Sequence, residues 1–525
     1  MTKYVLKRLL HGLISSFVVV TIVMIMIYTM LDRNLIFATD NVFKNYGNNE
    51  KTAYMYRKWE EYGYLDLITY NDYLLDLVDK GELDEETQKK VASIGKKPEN
   101  DSELTAEYVQ KFNDWCAANG YTVTRLNAIM VTPKKYANGG AQQLFAAKDL
   151  PVTHRLVKYV TGLISVDNIH FVDEDIDLGK RGLTFTLHDP VYGGDKFAPA
   201  IIGNGTYHKY LLYVDKVFPY LHQNLVTINL GKSYAVNAGI DVFDTMTKKQ
   251  GSYVMSTMTF PTGLTEESAD DLHSATFVYG SMAANKVNSD RFTDDYTSVS
   301  TYKAGKSKVG YSFTIGIIEV FLVYLFGIPM GILMAKKKDK FVDKLGTAYI
   351  VFITAVPSLA YIFLFKAIGG KIGLPTTFDM ESTSKLIYVL PIVSLALPAI
   401  GNIMKWLRRY MIDQMNSDYV KFARSGGLTE GEIFRKHILK NASIPLVHGI
   451  PGQILGALVG AIITERVYTV PGAGNLMTIA INQYDNGVIV GMALFYSLLS
   501  VISIIAGDVL ISIVDPRISY TGKAR

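Results

Sequence analysis

The chain has 525 residues, 53 Lys and Arg against 49 Asp and Glu, and a formal net charge of +4. Its single cysteine, Cys116, excludes an intrachain disulfide, so any folded domain is held by its own core. A mean hydropathy slightly above zero (+0.15) averages two unlike materials: six apolar stretches, and an ordinary polar segment over residues 32–308.

In chain order, residues 12–31 form the first stretch, long enough to cross about 30 Å of hydrocarbon and free of charge. Lys3, Lys7 and Arg8 precede it as they would a signal peptide. The apolar run is too long for a signal core and no clean small-x-small cleavage site comes after it, so a retained helix is expected. Residues 32–308 carry 30 Lys and Arg against 36 Asp and Glu, about −6, and the remainder of the chain about +10. This segment is rich in Tyr and long enough for a core of its own. Residues 89–103, charged and holding Gly95 and Pro98, read as a surface loop. Residues 105–119 have helical spacing, with Tyr108, Phe112 and Trp115 on one face and Gly120 as the stop. Residues 183–187 alternate like a strand. Residues 210–225 read as a helix whose apolar face suits the membrane surface, and residues 285–307 as a loose polar lead into the next span.

Five further stretches lie at 309–335, 345–365, 386–404, 444–464 and 487–507, with Glu319 the one charge inside them. The basic clusters lie beside alternate helix ends: Lys3, Lys7 and Arg8; Lys336 to Lys344; Lys405 to Lys440; and Arg517 to Arg525. The positive-inside tendency places all four in the cytoplasm, with both termini inside and residues 32–308 outside the cell. The expected architecture is therefore an α-helical polytopic membrane protein. It has transmembrane helix 1 in residues 1–31, a mixed α/β extracellular domain in 32–308, and a five-helix core in 309–525. Pro329, Pro357, Pro391, Pro398 and Pro451 lie within the spans; their missing backbone bonds favour a packed bundle over isolated anchors, although simple kinks would leave the same trace.

Residues 405–443 join the fourth and fifth spans, and residues 417–441 are the patterned part of this link. Tyr419, Phe422 and Ala423 share a helical face, Gly426-Gly427 ends that helix, and Thr429 with Glu432 forms a capping box for the next. Two short helices about a Gly turn would make a compact knob at the membrane surface. An ordinary interfacial hairpin has the same pattern.

This segment resembles the EAA loop of binding-protein-dependent ABC importers. Ala423 falls on the second Ala of that pattern, Gly427 on its Gly, and His437-Ile438-Leu439 on its later apolar element. Lys421, Phe422 and Lys440 replace the acid, the first Ala and the Pro, departures similar to those of the peptide-permease branch. The start Lys3-Tyr4-Val5-Leu6-Lys7-Arg8-Leu9-Leu10, the stretch FGIPMGILMAK at 326–336, TERVYTVPGAG at 464–474 and Asp515-Pro516-Arg517 resemble the OppB/DppB permeases in the same order. Residues 224–246 resemble them weakly. The remaining enlargement is similar to that of Gram-positive Opp/Ami-type permeases.

The resemblance implies a permease subunit of an oligopeptide importer, without an ATPase site or cofactor of its own. Its implied partners are a second homologous permease, two cytoplasmic ATPases that hold ATP and Mg, an extracellular peptide-binding lipoprotein, the peptide and lipid, but no nucleic acid. Tyr419, Lys421, Phe422, Ala423, Arg424, Gly427, Leu428 and His437 would then couple to the ATPases. Glu319, Glu465 and Asn475 are candidates for the translocation pathway. Asp508 is expected to pair with basic residues, and Glu465 with Arg466.

Other chemistry finds little support. Gly231-Lys232-Ser233 and Gly305-Lys306-Ser307 mimic the end of a phosphate loop, but Val226 and Ser300 stand where its first Gly belongs. No His-x-x-x-His or Cys-x-x-Cys pair offers a metal site and no G-x-S-x-G turn a nucleophile. A secondary transporter would need several buried charges and an inverted repeat, and neither is evident. A membrane-anchored receptor acting through its outer domain would leave the bundle and knob without purpose.

Overall fold

The computed structural model describes residues 2–94, 98–126, 130–132, 135–136, 143–166, 181–192, 195–215, 220–277, 289–294 and 296–515. The chain enters through α1 (Thr2–Met30), which buries one stripe, Gly12, Ser16, Val20, Met24 and Ile27, and leaves most of its apolar surface exposed.

The insert after α1 has two layered parts. The first packs α2 (Asn48–Glu61), α3 (Tyr70–Asp79), α4 (Glu85–Val91) and α5 (Glu103–Asn119) around an antiparallel sheet of β1 (Leu65–Thr69), β2 (Thr122–Leu126) and β3 (Gln143–Asp149), in the order β1-β3-β2. The periodicity of α5 is met: Phe112 and Cys116 are fully buried beside Tyr70, Tyr73 and Leu74. Ser102 caps its start and Gly120, at φ 75°, its end. Burial pushes the Cys116 thiol up to about 11, so it serves as core. Residues 89–103 depart from the expected loop. Lys89 to Val91 close α4, Pro98–Asn100 makes a 3-10 turn, and Val91 and Ile94 are buried. The two apolar residues among the charges pin the connection to the core. Gly95 lies outside the described residues.

Helix α6 (Val152–Thr161) leads to the second part, a sheet of β4 (Gly182–Thr186), β5 (Ala200–Asn204), β6 (Tyr210–Val214) and β7 (Leu221–Gln223), with neighbours antiparallel in sequence order. The strand expected at 183–187 is β4. Of residues 210–225, 210–214 form β6 and 221–223 form β7 rather than a surface helix, while 216–219 lie outside the described residues. Tyr210, Leu211 and Tyr213 are all buried, so β6 is apolar on both faces and its alternation is hidden. The polar lead at 285–307 likewise contains a strand: β9 (Thr297–Thr301) pairs with β8 (Asp270–Phe277), while residues 285–288 lie outside the described residues.

The membrane part is helical throughout its spans. Helix α7 (Lys308–Lys336) matches the second span. The third is broken: α8 (Phe341–Ala355) and α9 (Ser358–Lys371) meet at 106°. Pro357 lacks an amide donor and drives Val356 to extended backbone, so the helix stops there. Helices α10 (Val389–Met415), α12 (Lys440–Tyr468) and α14 (Asn486–Val514) are long enough to span, while α11 (Asp418–Ser425) and α13 (Ala473–Asn482) are short. Gly327 and Gly331 of α7 lie against Ile403 and Leu407 of α10, where an added Cβ would come within 2.9 and 3.1 Å. Small residues let these backbones close up where lipid offers no hydrophobic drive. Arg408 of α10 grips Asp343 of α8 through two hydrogen bonds, and Tyr4 of α1 donates to Asp508 of α14 at 2.7 Å, with Arg8 at 3.6 Å.

Insert and bundle join at Asp485, which is fully buried. Its carboxylate accepts from the Ser233 hydroxyl (2.6 Å), the amides of Tyr234, Ala235 and Val236 (2.8–2.9 Å) and the Val488 amide (3.2 Å). On Gly487 a Cβ would fall onto the Lys232 carbonyl oxygen. Asp485→Ala should orphan those donors, each worth about 1–3 kcal/mol when buried unpaired. Limited proteolysis of the purified protein should then cut near residues 230–242, where the wild type resists; equal resistance would contradict the anchor.

The His273 ring of β8 lies 2.7 Å from Asp189, 3.5 Å from Asp271 and stacked on Tyr213 at 4.3 Å. Burial lowers its pKa, but hydrogen bonds to both carboxylates outweigh that and raise it from 6.5 to about 9. The folded pKa is the higher one. The stabilisation is therefore complete below about pH 6.5 and is lost as pH rises through about 9. Thermal melting of the purified protein should show the insert weakening from about pH 6.5 to about 9, and His273→Gln should flatten that trend.

Candidate functional site

At the end of α12 far from the insert, the chain leaves α10 at Met415 and turns into α11. Val420 and Ala423 of α11 join Leu407, Met411, Ile433 and Ile438 in one buried cluster that runs on to Val323 and Met334 of α7. The knob is therefore rooted in the bundle core. Phe422 points the other way, 79 % exposed. Tyr419 is half-buried: its hydroxyl donates to Gln414 and its ring lies 6.3 Å from His437.

Lys421 and Arg424, the two cations among the expected coupling residues, already have acids within the segment. Lys421 binds Asp418 at 2.8 Å, and Arg424 donates twice to Glu430 at 2.5 and 3.1 Å. Gly427 ends α11 at φ 86°, a conformation that favours glycine, and Leu428 packs on the cluster. The capping box forms: the Thr429 hydroxyl accepts from the Glu432 amide and the Glu432 carboxylate from the Thr429 amide. The expected second short helix does not form as a separate element. One turn (Glu430–Glu432) passes through a π segment (Ile433–Leu439) straight into α12, a continuous helix from Glu430 to Tyr468. All eight residues read as coupling groups thus gather in one elbow, with Ala423 inside it and Phe422 at its tip.

The three pathway candidates separate. Glu319 of α7 is 3 % exposed and faces a cavity of about 230 Å³ between α7, α9, α10 and α12, lined also by Ser358, Tyr361, Ser394, Gln453 and Thr464. Glu465 and Asn475 do not line it. The Glu465 carboxylate accepts from Ser312 of α7 (2.5 Å) and from the Asn475 amide (2.8 Å), while Ser312 accepts from the Ala473 amide (2.8 Å). Glu465 therefore serves the N-terminus of α13, where a negative charge is favoured. Arg466 is exposed, and among the described residues Glu465 forms no ion pair with it. Asp508 does meet basic groups, as expected, at Arg8 and at His448 (3.6 Å).

The phosphate-loop mimics resolve as structure. The Ser233 hydroxyl and the amides after it hold Asp485, an internal anion, and Ser307 caps α7 by accepting from the Gly310 amide. The sequence reading missed Asp485, Gln453 and Thr464. Asp485 carried a signal as an Asp just before an apolar run, but its partners lie some 250 positions away. Asp515 is described, but Pro516 and Arg517 lie outside the described residues.

A bundle of broken and proline-bearing helices with a core-rooted elbow defines a transport component, and the comparisons agree. A family model described as "Binding-protein-dependent transport system inner membrane component" matches residues 327–520, and the chain belongs to this family of permease subunits. Over 540 residues it is 34% identical to the oligopeptide transport system permease protein AmiC of Streptococcus pneumoniae, covering 100% of this chain and 99% of that protein, insert included. The dipeptide transport system permease protein DppB of Bacillus subtilis is 28% identical over 215 residues, 40% of this chain and 68% of that protein. A solved chain of the MetNI methionine ABC transporter is 16% identical and covers 39% of this chain and 93% of its own, at a TM-score of 0.32.

Glu465→Leu should leave the amide of Asn475 and the hydroxyl of Ser312 unpaired. A loss of about 2–4 kcal/mol is expected, read as a lower melting midpoint of the purified protein. An unchanged midpoint would show that the turn is held by other contacts.

Proposed function

We propose that this chain is a permease subunit of an ATP-driven, binding-protein-dependent peptide importer, forming half of the translocation path. The observation that carries this is the elbow at α11: an exposed aromatic tip on a knob whose base is continuous with the bundle core. Such a knob is suited to receive force from a soluble motor and pass it to the helices. The end-to-end similarity to an oligopeptide permease supports a peptide as the cargo.

In this reading the elbow lies in the cytoplasm with the basic clusters and both termini, and the insert lies outside. Two ATPases carry ATP and Mg; this chain has no nucleotide site of its own. A second homologous permease completes the path, and the insert docks an extracellular peptide-binding lipoprotein. Phe422 sits in an ATPase groove with Tyr419 at its edge. Because Lys421 and Arg424 are balanced by Asp418 and Glu430, the contact depends on shape and apolar area more than on net charge.

Phe422→Asp should leave membrane insertion intact and remove the ATPases from the purified complex, with at least a tenfold loss of peptide import. Co-purification and uptake assays read both effects. Normal import by this variant, or a wild type that imports peptide without ATPase partners, would refute the proposal.

A further inference from the structure

Two side chains that line the bundle cavity each have a buried oxygen with no hydrogen-bond partner among the described residues. Glu319 of α7 is 3 % exposed, and its Oε2 has no hydrogen-bond partner among the described residues. Thr464 of α12 is 1 % exposed, and its Oγ1 has none either among those residues. Both line the same cavity. Of the buried polar groups nearby, Ser394 and Tyr468 share a hydrogen bond and Glu465 is held by Ser312 and Asn475, while Asn475 Oδ1 and the Tyr496 hydroxyl, which do not line this cavity, also lack a partner among the described residues. Among the described residues, no Lys, Arg or His lines this cavity. A basic side chain on one of its wall helices, Lys366 of α9, donates to the Val467 carbonyl at 2.6 Å.

An ionised carboxylate offers acceptors only, and a hydroxyl can add a further one. Leaving such a charge unpaired in a membrane bundle costs several kcal/mol, so ionisable groups there mark sites that meet a partner. The missing chemistry is a compact cation with several N–H donors. At about 230 Å³ the cavity falls below the roughly 300–1,000 Å³ of pockets that enclose a drug-sized ligand, so it takes an end group, not a whole peptide chain.

We infer that this cavity binds a primary ammonium group, the amino terminus of the transported peptide, between the Glu319 carboxylate and the Thr464 hydroxyl. The inference rests on the import reading and adds to it the part of the cargo that this chain recognises. Every peptide with a free amino end carries this group, whatever its side chains. The site thus selects for a free N-terminus without selecting sequence, and Tyr361 lines the same cavity.

The test uses the purified complex in detergent without its binding protein, so that protein's preferences do not enter. Equilibrium retention of radiolabelled trialanine is compared with that of its N-acetylated form. The wild type should hold the free amine at least tenfold more tightly. Glu319→Gln should bring the two forms level in a complex that still purifies with all its subunits, and Thr464→Val should narrow the gap two- to fivefold. Equal retention of both forms by the wild type, retention of neither, or a preference that survives Glu319→Gln overturns the site. Sodium binding that Glu319→Gln abolishes while trialanine retention is unchanged overturns it too, by showing a metal-ion site. Peptide import by reconstituted complex is scored separately. Absence of import with amine-dependent retention intact would count against the proposed function and still support this site.

Discussion

One buried carboxylate fixes the relation between the two halves of the molecule. Asp485 is removed from water, and three successive amides, a hydroxyl and the first turn of α14 all aim at its carboxylate. A buried charge is tolerated only when its hydrogen-bonding capacity is filled. The donors come from a segment of the insert that must lie almost on top of α14, and Gly487 and Gly491 supply the room. Around this point Asn486 donates to Tyr64, Tyr28 meets Tyr234 at 3.1 Å, and Arg155 lies over the Tyr28 and Tyr64 rings. The insert is thereby seated on the helix ends and not tethered by its two linkers alone.

Within the bundle the same economy of space recurs. Glycines on α7 let α10 approach, Gly346 admits Met334, and the resulting core continues without interruption into the elbow. Interiors packed in this way transmit displacement instead of absorbing it. The π segment at Ile433–Leu439 interrupts the regular winding of the helix that links elbow to bundle, and such bulges often sit at functional places.

Much of this architecture was legible in the sequence, for physical reasons. Apolar runs of the right length announced α1, α7, α10, α12 and α14, and the capping box and Gly427 marked the elbow correctly. The third span is present but bent, because Pro357 sits inside an unbroken apolar run: composition recorded its hydrophobicity, while the proline dictated a 106° break. Residues 210–225 failed because a strand buried on both faces loses its period of two. Glu319 stood out as a lone charge in a span; Glu465, just past the end of another and expected to pair with Arg466, was a second pathway candidate and proved to be a cap for α13. Distinguishing them needs the distant Ser312. Asp485 is the extreme case, since its meaning lies wholly in residues 233–236.

The mostly bare surface of α1 bears on how the protein is made. Its buried stripe rests chiefly on α14, through contacts such as Ser16 with Ser497, and α14 is made hundreds of residues after α1. At about 5–20 residues per second, α1 waits tens of seconds in the bilayer before its partner exists. A helix that must stay alone so long is well served by leucine, isoleucine and valine around most of its circumference, with only Gly12 and Ser16 interrupting the stripe that later docks. Final assembly of the permease is then a closing of the chain's early and late helices upon each other, and truncation of nascent chains before α14 should leave α1 inserted but unmated.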